Sequence, residues 1–137
     1  MVAITVVLAA VLYVMVSGFT HSPGTAQSAG LTETSNAANN YTVTVASVSA
    51  SNIPITNLKV VISGGSLTSS VSFALSGGNW VTHSGVAVEY VQVGSGNYLS
   101  AGDVINIGVT VTNGATSISG VTVTLYNGNS QLGSTTL

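Results

Sequence analysis

Residues 104–112 read VINIGVTVT, and after a short gap residues 120–126 read GVTVTLY. In the first stretch Ile105, Ile107, Val109 and Val111 share one parity, while Asn106, Gly108, Thr110 and Thr112 take the other. In the second, Val121, Val123 and Leu125 oppose Thr122, Thr124 and Tyr126. Successive side chains of a strand point to opposite faces, so each stretch reads as a strand with one apolar face and one polar, mostly hydroxyl-bearing face. Asn113-Gly114 and Asn127-Gly128 follow them as hairpin-type turn pairs.

The pattern repeats outward from these two stretches. YTVTVASV (41–48) alternates, LKVVI (58–62) stops at Gly64-Gly65, and SVSFAL (70–75) runs into Gly77-Gly78. VAVEYVQV (86–93) meets Gly94-Ser95-Gly96-Asn97, and residues 131–137 have room for a last short strand. Short strands with turn residues at regular intervals predict an antiparallel β-sandwich over 41–137, with Val43, Val45, Leu58, Val60 and Ile62 joining its core. Threonine on the outward face keeps β propensity high without charge, which leaves the edge strands short of the charged residues that discourage strand pairing.

The beginning of the chain follows another rule. Residues 1–16 read MVAITVVLAAVLYVMV, with Thr5 and the Tyr13 hydroxyl as the only polar groups, and Ser17, Gly18 and Phe19 follow. A run apolar on every side predicts a helix buried all round. At 1.5 Å per residue, a helix over 1–19 would be about 28 Å long, just short of a bilayer crossing. No basic stretch precedes the run and no small-residue cleavage site follows it, so the helix is expected to be retained. Val2, Ile4, Val6, Val7, Leu8, Val11, Leu12, Val14 and Met15 are its candidate buried residues. Ala3, Ala9, Ala10 and Gly18 are small enough to let neighbouring helices approach closely. Residues 20–40, THSPGTAQSAGLTETSNAANN, are broken by Pro23, Gly24 and Gly30 and read as a polar linker, part of which is free to continue the helix. The expected class is therefore α+β: a single long hydrophobic helix, a linker and a sandwich.

Composition narrows the function. Charged residues make up 3% of the 137, against roughly 25% in an ordinary domain. They are Glu33, Lys59, Glu89 and Asp103. A formal net charge of −2 leaves no basic stripe for phosphate backbones, so nucleic acid is excluded as a partner. So little charge promotes association, unless the surface is covered by hydroxyls and amides or buried against copies of itself. Serine and threonine make up roughly a quarter of the chain, above ordinary usage. With 0 cysteines there is neither a disulfide framework nor a thiolate metal site.

Catalytic constellations are missing as well. His21 lies in the linker stretch and His83 in an expected loop, and no G-x-S-x-G elbow sets a serine nucleophile. Glu89 alternates with Val88 and Tyr90, so it points to solvent, and Asp103 follows Ala101-Gly102 where aspartate commonly binds turn backbone. The carboxylates are too sparse for a hard-cation site and the two histidines too separated for zinc. No cofactor, metal or enzymatic activity is expected. Asn40-Tyr41-Thr42 satisfies the N-x-[ST] acceptor rule, which makes Asn40 a glycosylation candidate, and covalent glycans would replace charge as a solubilising layer. Trp80, Tyr90 and Tyr98 are the aromatic residues from which a sugar or protein platform would have to be built, although Trp80 beside Gly77-Gly78 reads first as a core plug or turn cover.

The stretch VAITVVLAAVLYVMVSGF (2–19) closely resembles the hydrophobic N-terminal helix of archaeal type IV pilins. LSAGDVINIGVTVTNGATSISGVTVTLYNGNSQLGSTTL (99–137) resembles the immunoglobulin-like β-domains of archaeal surface proteins. The resemblance implies an immunoglobulin-like sandwich and a pilus subunit with helices bundled in the filament core and β-domains facing outward. It implies further that the protein is embedded in the membrane and met by pilus-assembly machinery before assembly, and that it then partners itself in an extracellular adhesion filament. In that family a short basic leader is removed before assembly, and the residues that usually open the mature helix are not found before Met1. A membrane-anchored extracellular β-sandwich that binds a sugar or protein, and an archaellin-type motility filament, are the alternatives.

Overall fold

The computed structural model describes residues 2–19, 26–37, 40–65, 67, 69–75, 78–109 and 120–137, with the side chains of 16–19, 37 and 109 left aside. Among these residues one helix, α1 (Val2–Phe19), precedes nine strands. These are β1 (Ala29–Ala37), β2 (Asn40–Val48), β3 (Leu58–Gly64), β4 (Val71–Ala74), β5 (Val81–His83), β6 (Val86–Val91), β7 (Val104–Val109), β8 (Val121–Asn127) and β9 (Ser130–Thr136). A single 3-10 turn, Ile55–Asn57, leads into β3.

All the strand pairings are antiparallel. They make a five-stranded sheet in the order β1-β2-β7-β6-β5 and a four-stranded sheet in the order β4-β3-β8-β9. The apolar parity of both sheets meets in one core: Val43, Val45, Ile105, Ile107, Val86 and Val88 from the first, and Leu58, Val60, Ile62, Val121, Val123 and Leu125 from the second. This is the core that the alternation predicts, except that Val111 and the side chain of Val109 lie outside what is described. So do Thr110, Thr112, the Asn113-Gly114 pair, Gly77 and His21.

The expected α+β class is corrected. The protein is mainly β, with antiparallel sheets and one short helix, in place of an immunoglobulin-like sandwich headed by a single long helix. A helix contributes to a domain's class by packing its apolar stripe on a sheet as a layer. The apolar side chains of α1 from Val2 (78% exposed) to Val11 (50%) and Met15 (61%) lie open instead. Among the described residues, no helix is long and apolar enough to cross a membrane.

The stretch read as linker supplies a strand. β1 pairs with β2 over most of its length, with Leu31 opposite Val45 and Glu33 opposite Val43. Its inward parity is apolar only at Ala29 and Leu31 and turns polar at Glu33 and Ser35, as an edge strand permits. β1 lies close to the edge of the other sheet. A Cβ on Gly133 of β9 would stand 2.1 Å from the Ala29 carbonyl oxygen, so only glycine allows this approach. Next to it, Asn127 Nδ2 donates to Gln27 Oε1 at 2.7 Å, and Ser28 N–H donates to Ser49 Oγ at 2.7 Å, fastening residues 27–28 to the sandwich.

Candidate functional site

The sequence-predicted residues fall in three places. The first is α1. Val2, Ile4, Val6, Val7, Leu8, Val11, Leu12, Val14 and Met15 are all exposed and distributed around the whole helix, and Ala3, Ala9 and Ala10 are exposed among them. Thr5 Oγ1 donates to the Val2 carbonyl at 2.8 Å, so the hydroxyl is satisfied within the helix and adds little polarity to its surface. Ala10, Val11, Val14 and Met15 frame a shallow apolar hollow of about 280 Å³. Gly18 lies in the last turn, beyond the described side chains.

The second place is the interior. Tyr90 and Asp103 are both buried, Asp103 completely. One Asp103 carboxylate oxygen accepts from the backbone N–H of Val93 at 2.9 Å and of Gly94 at 3.4 Å, and the other from the Ser100 N–H at 2.8 Å and the Tyr90 hydroxyl. The Asp103 carbonyl in turn accepts from Val45 N–H of β2 at 2.9 Å. This aspartate therefore closes the β6–β7 connection on itself, the turn-backbone role expected for it. Burial, then the hydrogen bond to Asp103 and its charge, push the Tyr90 hydroxyl pKa well above the ordinary tyrosine range. Tyr90 is thus no part of an aromatic platform.

The third place is the outer face of the five-stranded sheet. Register brings Thr42 of β2, Asn106 of β7 and Glu89 of β6 into one row across three strands. Asn36 Nδ2 donates to Thr42 Oγ1, which donates to Asn106 Oδ1 at 3.2 Å, and Asn106 Nδ2 donates to Glu89 Oε2 at 2.9 Å. Each donor is taken by the next acceptor, so the Asn106 amide is held in one orientation.

Beside this row lies the indole of Trp80, 52% exposed. A Cβ at Gly108 would stand 3.7 Å from Trp80 Cζ3 and 3.1 Å from Asn40 Oδ1. Glycine in β7 therefore lets both side chains settle on the sheet, and Ala87, its partner in β6, is small too. The reading of Trp80 as a core plug is overturned. Asn36, Asn40, Thr42, Trp80 and Asn106 line an open groove of about 230 Å³. Asn40 is exposed at the start of β2, and its side-chain amide makes no hydrogen bond to the described residues.

Sequence reasoning missed Asn36 and Asn106. The parity of Asn106 and Glu89 was a usable signal for their outward face, but their meeting with Asn36 depends on pairings between strands far apart in the chain. Tyr98, 49% exposed, sits in the β6–β7 connection and pairs with Pro54 rather than joining Trp80. His83 ends β5 with Nδ1 3.1 Å from Ser84 Oγ, and Lys59 of β3 lies with its ammonium 5.5 Å from the centre of the Tyr126 ring. Among the described residues no three His, Asp or Glu side chains form a metal-holding group.

Comparison with protein-family models, with curated proteins and with solved structures returned no match.

Proposed function

We propose that this chain is a structural subunit that assembles with copies of itself into an extracellular, pilus-like filament through α1, and that the filament serves surface adhesion. The observation that carries the reading is the exposure of apolar side chains around the whole of α1, from Val11 at 50% to Val2 at 78%. Covering one such side chain contributes about 1.5–3 kcal/mol. A single flat partner covers one stripe of a helix, whereas α1 offers apolar surface on all sides. Surrounding copies of the same helix provide that cover, with Ala3, Ala9, Ala10 and Gly18 admitting close approach. Identical head-to-tail contacts that do not close then build an open helical filament. Lipid holds α1 before assembly, and the strand domain, which carries the chain's few charged side chains, faces outward.

A membrane-anchored binding module is the second reading, and the exposed Trp80 groove favours it.

Negative-stain microscopy of the full-length chain after detergent removal tests the proposal. Thin filaments are expected, and Leu8→Glu is expected to abolish them while leaving the strand circular dichroism unchanged. Filaments that persist in Leu8→Glu, or a full-length chain that stays monodisperse without detergent, would overturn it.

A further inference from the structure

We propose that the groove on the outer face of the five-stranded sheet binds a neutral pyranose sugar, stacked on Trp80 and hydrogen-bonded by Asn36, Asn40 and Asn106. This inference stands independently of self-assembly, because it concerns the sheet and not α1.

Three observations carry it. First, Trp80 is half exposed although it is the chain's only tryptophan, and its ring is seated over Gly108 rather than left to swing in solvent. A flat apolar surface held this way suits the C–H face of a sugar ring, an amphipathic partner with hydroxyls around its rim. Second, the polar side chains of the groove are the amides of Asn36, Asn40 and Asn106 and the Thr42 hydroxyl, groups that both donate and accept, as vicinal hydroxyls require. The relay from Asn36 through Thr42 to Asn106 and Glu89 fixes those groups in advance, so a ligand does not bear the cost of ordering them. Third, none of these residues is cationic. Lys59, the only Lys or Arg, lies in the other sheet over Tyr126, so a phosphate, sulfate or sialic acid would find no counter-charge in the groove. The volume of about 230 Å³ is below the range for drug-sized ligands, roughly 300–1,000 Å³, and fits a compact one-ring ligand.

The same chemistry has two sources: a sugar of the surface to which the protein adheres, or the chain's own glycan. Asn40, the acceptor of the Asn40-Tyr41-Thr42 sequon, has its Oδ1 over Gly108 next to Trp80. A glycan attached there begins within reach of the indole.

The experiment uses full-length protein made in a host without N-glycosylation, and the Leu8→Glu chain in parallel, so that loss of filaments and loss of sugar binding are read separately. Trp80 fluorescence is titrated with glucose, galactose, mannose and N-acetylglucosamine and their short oligomers, with sialic acid and adenosine as the contrasting probes. A saturable change is expected with at least one neutral sugar and with neither contrasting probe. Asn106→Ala and Asn36→Ala are each expected to weaken it about tenfold, one group's worth of hydrogen bonding. Asn36 stands on an edge strand, which keeps the test alive should Asn106→Ala not fold. No saturation up to about 100 mM sugar, saturation unchanged in both variants, or a stronger response to adenosine or sialic acid would overturn the proposal. Chain from the native source separates the two origins. A glycan mass on the Asn40 peptide, with soluble sugar no longer shifting Trp80, assigns the groove to the chain's own sugar, whereas an unmodified Asn40 with the response intact assigns it to a foreign one.

Discussion

Glu89 and Tyr90 are neighbours in β6, and each enters a polar network on its own side of the sheet. Tyr90 points inward to Asp103, which is fully buried and whose two carboxylate oxygens are taken by one hydroxyl and three backbone N–H groups. Glu89 points outward to Asn106, and the relay it ends runs along an open groove. The residue types are similar and the networks belong to one sheet, yet the first leaves no room for a ligand and the second leaves groups facing solvent. Low dielectric makes every member of the buried network costly to remove, whereas water replaces a lost partner in the open one. The inner network should therefore govern stability and the outer one recognition.

The largest effect should come from Asp103→Ala. It strands the Tyr90 hydroxyl and the N–H groups of Val93, Gly94 and Ser100 without an acceptor, a loss of about 4 kcal/mol. For a domain of this size that lowers Tm by on the order of 20 °C, to be read by circular dichroism melting. A drop of only a few degrees would mean that the β6–β7 connection holds itself without the carboxylate.

Tyr90→Phe should cost less, about 2 kcal/mol, because only one charge-assisted hydrogen bond is lost. Its pH dependence is more telling. The folded pKa of Tyr90 is raised, so as pH climbs past the ordinary tyrosine value of about 10 the unfolded chain releases this proton first. The contribution of the hydroxyl is therefore intact below pH 10 and is lost progressively above it. Denaturant titrations at pH 8 to about 11 should show the advantage of wild type over Tyr90→Phe narrowing in the alkaline range. A constant gap would place Tyr90 in water rather than in the core.

On the outer face, Asn106→Ala should change stability by less than about 1 kcal/mol, since solvent satisfies Thr42 and Glu89 once the amide is gone. Melting should scarcely distinguish it from wild type, while Trp80 fluorescence in the presence of sugar should. A large stability loss would show that the relay serves the fold and would erase the contrast between the two sides of β6.

Much of this arrangement was legible in the chain because alternation is a local property. β2, β6, β7 and β8 each announce themselves through buried valines and isoleucines on one parity and a Thr, Asn or Glu on the other, and β3 through Leu58, Val60 and Ile62 against Lys59 and Ser63. β1 was hidden by polar residues on its inward parity, and β5 by its three residues, all exposed. The fold class was misread because apolarity tells that α1 seeks cover and not which surface supplies it. The same limit applied to the groove. Asn40 stood out as a sequon and Glu89 as an outward carboxylate, but neither reveals the other when they stand on β2 and β6 with β7 between them. Trp80 read as a core plug or turn cover because its place on the sheet depends on Gly108, a residue two strands away.

The smallest effect tests the hairpin that carries Trp80 to this face. Ser84 and Gly85 join β5 to β6 with φ of 52° and 79°, a two-residue turn with both central residues in the left-handed region. Ser84 is the one non-glycine among the described residues with positive φ. Asparagine tolerates that region better, so Ser84→Asn should stabilise the protein by a few tenths of a kcal/mol, about 0.5 at most, seen as a small rise in denaturation midpoint. Ser84→Val should do the opposite, because a β-branched residue there is strained. Since β5 has only three residues and begins directly after Trp80, fraying of this hairpin should blunt the sugar response of Trp80 before it lowers Tm appreciably. Were the two to fall together, the outer face would not be separable from the core, and the contrast drawn across β6 would fail at its weakest hairpin.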